Sequence, residues 1–231
     1  MLKQGPIARR RVVAWEERVL SYRELARMLD TIVPGLAKGS PGTRFQRRRN
    51  LTMLILLAGT GLRASELCRL TIGDLHLPSH HDSWVRVIGG KRRTLGQAAR
   101  VPVPKHIASC LVVWARLLSA PHRCRSDLAT DAMPFFPQSL ARLEEAITYR
   151  QLWALVKRVA KAAGLRDSIS PHSFRHYYIS ELASQPGIDP FALAAAARLR
   201  DPKTALRYIH YASGELHAMA DRVRLPGRKR Q

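Results

Sequence analysis

Four short segments carry residues that could act together on a phosphate ester. In AGTGLRASELCRL (58–70), Arg63 directly follows a glycine turn at the start of a helix, with Glu66 three residues on. An arginine there can reach an external phosphate, and the helix N-terminus adds donors. Lys91 opens a Gly-containing hairpin loop, where a mobile cation can enter a DNA groove or give up a proton. SPHSFRHYYIS (170–180) sets His172 and Arg175 at i, i+3 on one helix face, with Pro171 in the first turn. DPKTALRYIHYA (201–212) carries Tyr208 on a polar, basic helix that leaves a tyrosine little core to fill. Together they suggest one reaction. Two arginines bracket the nonbridging oxygens of a phosphodiester, His172 exchanges protons, the tyrosine hydroxyl attacks phosphorus, and lysine protonates the leaving oxygen. Fixed guanidinium groups stabilise the charge that grows on the equatorial oxygens. The ester to tyrosine conserves the bond energy, so neither metal nor ATP is needed.

Each piece also has an ordinary reading. Arg63 can be a surface arginine in a helix connection, Glu66 its brace, Lys91 a solvated turn residue and Tyr208 a packing residue. Other signatures are absent. A P-loop ending at Gly90-Lys91 would need glycine at position 85 and Ser or Thr at 92, where Val85 and Arg92 stand. His106, Cys110, His122 and Cys124 have zinc-ligand types without a zinc-site spacing.

The elements that must position these residues follow from periodicity and caps. Ser21 with Glu24 is a capping box for a first helix, and 34–41 reads as a loop. A mostly apolar helix spans 47–60 and ends at Gly59-Thr60-Gly61, followed by a short helix over 64–70. Segments 84–89 and 100–103 form the one convincing strand pair, joined by GKRRTLGQA into a hairpin. Helices follow at 105–119, 149–163 (capped by Thr148 with Gln151), 172–184, 189–198, 203–211 and 214–224, with the irregular MPFFP segment between the first two. The class is mainly α with a small antiparallel sheet. A basic arm (1–17) precedes a single domain (18–225), and a basic tail (226–231) follows it.

Charge points the same way. The chain has 231 residues and a net charge of +22, with 31 arginines against 8 lysines. Hydrophobic residues make up 46%, enough for a folded core. Guanidinium groups match phosphate in a two-pronged geometry that ammonium lacks. Nucleic acid is therefore the leading partner. An anionic membrane surface, for which no long basic amphipathic helix with an aromatic face is present, and a general arginine-rich composition are the alternatives. No apolar run suits a membrane span, MLKQGPIARRR lacks the apolar stretch behind its charges so that no secretory leader is expected, and three irregular cysteines fit a reducing compartment.

In order and spacing, GTGLRASEL, the IGGK…RVPV hairpin, SPHSFRH and KTALRYIHY resemble the tyrosine recombinase (phage integrase) family over residues 18–225. The resemblance implies the catalytic-domain fold and a 3′-phosphotyrosyl intermediate with a free 5′-hydroxyl. It further implies four protomers on two double-stranded DNA sites and strand exchange through a Holliday junction. Arg63 and Arg175 would bind the scissile phosphate, Lys91 would be the general acid, His172 would assist, Glu66 would support the arginine, and Tyr208 would be the nucleophile. Arg9, Arg10, Arg11, Arg47, Arg48, Arg49, Arg92 and Arg93 are left to hold DNA. No cofactor is implied, and the setting is the cytoplasm of a bacterium or the product of a phage, plasmid or transposon.

Three departures stand out. The family's Leu-Gly-His triplet aligns with Ala197-Arg198-Leu199, so Leu199 replaces a phosphate-binding His or Trp, with Arg198 and Arg200 as nearby substitutes. The hairpin from Lys91 to Arg100 is longer than usual, so Arg92 or Arg93 could replace the lysine. Only the arm 1–17 stands where most members carry a DNA-clamping domain, as in short recombinases or a trimmed chain. A type IB topoisomerase and a DNA-binding accessory protein without catalysis are the alternatives.

Overall fold

The computed structural model describes residues 19–78, 82–88, 98–119 and 131–213, with side chains through Ile209. α1 (Tyr22–Asp30) starts at the expected capping box: Glu24 N–H donates to Ser21 Oγ, and Glu24 Oε2 accepts the Ser21 N–H at 2.8 Å. α2 (Pro41–Thr60) begins earlier than its apolar pattern suggests. Ser40 caps it by accepting the Thr43 N–H, and Pro41 occupies the first turn, where the missing N–H costs nothing. α3 (Ala64–Leu67) follows.

β1 (Leu75–His76), β2 (Trp84–Ile88) and β3 (Ala98–Pro102) form an antiparallel sheet in that order. Ile88 pairs with Ala98, so residues 89–97 connect two paired strands. Val85, Val87 and Val101 turn inward, as period-two alternation requires. α4 (Lys105–Leu118) precedes a second hairpin, β4 (Pro137–Ser139) and β5 (Arg142–Ala146), where only irregular chain was expected. Its strands show no clean alternation (RLEEA), so periodicity could not reveal them. The apolar MPFFP residues instead anchor the core. Phe135 and Phe136 are fully buried, and Trp114 Nε1 donates to Phe135 O at 2.8 Å.

α5 (Tyr149–Ala162), α6 (Pro171–Ala183), α7 (Pro190–Ala196) and α8 (Pro202–Ser213) complete the described chain. One large apolar cluster unites α1, α2, α4, α5, the sheet and Phe174 of α6. A smaller one joins α6, α7 and α8 through Ile179, Ala183, Leu193, Ala194, Ala197, Ala205 and Tyr208. α6 thus belongs to both, which brings its His172 and Arg175 end against the end of α2. Among the described residues, no helix is long and apolar enough to cross a membrane.

α2 stops at Gly61, which has a left-handed backbone (φ 58°) and donates its N–H to Leu57 O. A Cβ there would lie 2.3 Å from the Tyr178 ring. Gly61→Ala should therefore combine left-handed strain with a steric clash, costing about 2 kcal/mol or more. Thermal melting should register this as a drop of about 2–4 °C per kcal/mol. An unchanged melting temperature would contradict the close approach.

Candidate active site

The end of α2 and the start of α3 set Arg63. Its backbone is extended (φ −70°, ψ 145°), and its N–H donates to Glu66 Oε2 at 2.8 Å. Arg63 Nη1 donates to Glu66 Oε1 at 2.8 Å and Nη2 to Arg198 O at 3.3 Å, while about half of the side chain stays exposed. Glu66 itself is buried and also accepts Arg198 Nη1 at 3.0 Å. Burial alone would raise its carboxyl pKa, but Arg198, the Arg63 N–H and the Arg63 guanidinium outweigh that and hold it below the usual carboxylate range. Glu66 thus touches Arg63 through both carboxylate oxygens.

α6 presents Arg175 beside it. Arg175 is 4% exposed and donates to Gly61 O at 2.5 Å and to Ala197 O. Burial lowers its pKa to about 10, which leaves it cationic at neutral pH. Arg63, His172 and Arg175 line one open cavity of about 210 Å³ with Leu62, Ala64, Ser65, Tyr149 and Pro171. Fork-shaped donors on two sides and an exposed imidazole suit a tetrahedral oxyanion.

Tyr208 corrects one expectation. It is 3% exposed and fills the α6–α8 cluster, so this helix does give a tyrosine a core to occupy. Its hydroxyl lies 2.7 Å from His176 Nδ1, and the two rings stack with centroids 5.8 Å apart. His172 packs edge-on against His176 at 4.4 Å, so a cavity residue, a buried histidine and the tyrosine are in series. Burial raises the Tyr208 pKa, with Arg175 opposing, to about 12. Tyr208 is not among the residues that line the cavity. His176 was missed. The available signal was its i+4 spacing from His172 on α6, which sets the two imidazoles side by side on one helix face.

The basic residues assigned to DNA divide. Arg49 is a correction: its guanidinium is buried, donating to Pro137 O, Gln138 O and Asn50 Oδ1, so it ties α2 to β4 instead of facing a partner. Arg47 is half-buried on Gly35 O and Lys38 O, whereas Arg48 is exposed. Leu199 packs on the smaller cluster, Arg200 is exposed, and Arg198 is turned inward onto Glu66. Lys91, Arg92, Arg93, Arg9, Arg10, Arg11, His122, Cys124 and the 214–224 helix lie outside the described residues. Ile88, the last residue of β2, lines a separate cavity together with Glu66.

A family model described as the phage integrase family matches residues 36–215. The chain belongs to the phage integrase family. This integrase-family chain is 36% identical over 157 residues to the tyrosine recombinase XerC of Corynebacterium efficiens, covering 67% of this chain and 44% of that protein. It is 29% identical over 173 residues to the tyrosine recombinase XerA of Thermococcus kodakarensis, covering 74% and 50%. The chain thus spans about half the length of the curated relatives it matches. Among solved structures, a XerA recombinase superposes with TM-score 0.64 at 22% identity, over 90% of this chain and 66% of that one. A XerH site-specific recombinase in a post-cleavage complex with palindromic difH substrate gives 0.64 at 22% identity, over 88% and 52%. The fold is that of the tyrosine recombinases.

Proposed function

We propose that this chain is the catalytic unit, over residues 18–225, of a site-specific tyrosine recombinase. The observation that carries this reading is the convergence of Arg63, His172 and Arg175 on one open cavity, with Tyr208 in contact with α6 immediately beside them. Arg63 and Arg175 hold the nonbridging oxygens of the scissile phosphate. The Tyr208 hydroxyl loses its proton to a neighbouring base and its oxygen bonds to phosphorus. The bond from phosphorus to the 5′ oxygen breaks, and Lys91 supplies that oxygen with a proton, assisted by His172. A 3′-phosphotyrosyl ester and a free 5′-hydroxyl result. Attack by a 5′-hydroxyl from a second duplex reverses the chemistry, and four protomers on two sites carry the exchange through a Holliday junction. Because Tyr208 is buried on His176, cleavage requires α8 to shift and deliver the hydroxyl to the cavity.

The deciding experiment uses a pool of randomised duplexes, each nicked so that the 5′-hydroxyl fragment diffuses away after cleavage. A protein–DNA adduct that resists detergent is expected; binding without any adduct would instead mark a DNA-binding accessory protein. Recombination between two marked copies of the selected site then separates a recombinase from a topoisomerase. Binding should weaken steeply with salt, with log affinity against log salt sloping by about −5 for roughly six neutralised phosphates. A flat salt dependence would count against the mode.

A further inference from the structure

Resting on that reading, we propose that Arg198 is a positioning residue that braces both arginines of the cavity. α7 ends at Ala196 and is capped by Ala197, and Arg198 follows with a left-handed backbone (φ 51°), which penalises any residue with a Cβ. The two carbonyls of this turn each take one cavity arginine: Ala197 O accepts from Arg175, and Arg198 O accepts from Arg63 Nη2 at 3.3 Å.

The Arg198 side chain, 9% exposed, then reaches back to the other acceptor of each arginine. Its Nη1 donates to Glu66 Oε2 at 3.0 Å, the carboxylate whose Oε1 holds Arg63. Its Nη2 donates at 3.4 Å to Gly61 O, the carbonyl that holds Arg175. Arg63 and Arg175 come from different helices and repel each other, so the turn that ties them fixes their separation. Arg198 itself does not line the cavity. It acts through the arginines and not on the phosphate. A buried carboxylate shared by two arginines also leaves Arg63 with donors to spare for a ligand.

The test compares wild type, Arg198→Gly and Arg198→Lys. Glycine accepts the left-handed backbone, so the variant should fold, while the brace is lost. In the ligand-free protein, side-chain nitrogen NMR should show slow guanidinium rotation for Arg63 and Arg175 in wild type and fast rotation in Arg198→Gly. At saturating nicked DNA, adduct formation should fall about 100-fold with DNA affinity unchanged, since a misplacement near 1 Å costs that much. Lysine keeps one donor on Glu66 but loses the fork, so it should recover part of the rate, to about tenfold below wild type.

Unchanged guanidinium rotation overturns the brace, as does a wild-type adduct rate in either variant. A fall in DNA affinity with an unchanged saturated rate would make Arg198 a DNA contact and overturn it too. If Arg198→Gly lacks a cooperative melt, Arg198→Lys decides alone by the same readouts. If wild type forms no adduct, the recombinase reading fails, and NMR still judges the brace.

Discussion

Tyr208→Phe is expected to abolish the covalent adduct with nicked DNA while the fold and DNA binding persist. Phenylalanine keeps the ring that fills the α6–α8 cluster and removes only the hydroxyl on His176, a hydrogen bond worth about 0.5–1.5 kcal/mol. No oxygen remains to form the ester, so the loss of adduct should be complete. An adduct persisting in the phenylalanine variant would move the nucleophile to Tyr211, Tyr177 or Tyr178.

The same variant has a second signature. The folded state holds the phenolic proton to a pKa of about 12, against an unfolded value near 10. Between those values the unfolded chain releases this proton first, so wild-type stability falls as pH rises above 10. The fall reaches about 2–3 kcal/mol once pH exceeds 12. Urea melts at pH 9 and 11 should show Tyr208→Phe losing less stability than wild type across that interval. Equal losses would mean that the hydroxyl is not held in an apolar site.

Arg63→Ala is expected to lower adduct formation at saturating DNA by about 10²- to 10³-fold, the usual cost of removing one preorganised oxyanion donor. Arg63 allows a clean test because half of its side chain is exposed and Glu66 keeps Arg198 at 3.0 Å, so no buried carboxylate is stranded. Arg175→Ala would not be clean: it removes a donor from the buried carbonyls of Gly61 and Ala197 and so disturbs the helix junctions as well. Arg63→Lys should rescue little, since ammonium lacks the planar fork. A rate within a small factor of wild type in Arg63→Ala would remove Arg63 from the phosphate site.

Local signals were legible where chemistry and covalent geometry act over a few residues. Ser21 with Glu24, Thr148 with Gln151 and Pro171 at the head of α6 marked helix starts that the structure places within a residue or two. Val85, Val87 and Val101 marked the β2–β3 pair by alternation. Pro41 misled because the features that punctuate loops also suit the first turn of a helix. The β4–β5 hairpin was hidden because its residues do not alternate and its position depends on Phe135 N–H donating to Leu70 O, a partner far away in the chain.

Sequence alone supplied the inventory and order of candidate residues: Arg63 with Glu66, His172 with Arg175, Tyr208, and a net positive charge suited to a polyanion. These rest on residue type and helical spacing, which are properties of short segments. What each cation does was decided only by tertiary structure. Arg48 and Arg49 are adjacent in a basic run, yet one faces solvent and the other is buried against the β4 backbone. By sequence Arg198 is a candidate substitute for the phosphate-binding residue that Leu199 replaces, but a left-handed turn aims it at the carboxylate and carbonyl that hold the cavity arginines. Tyr208 is stored on a histidine that no motif singled out. Burial and hydrogen-bond partners depend on which distant segments arrive, and that information lies in packing.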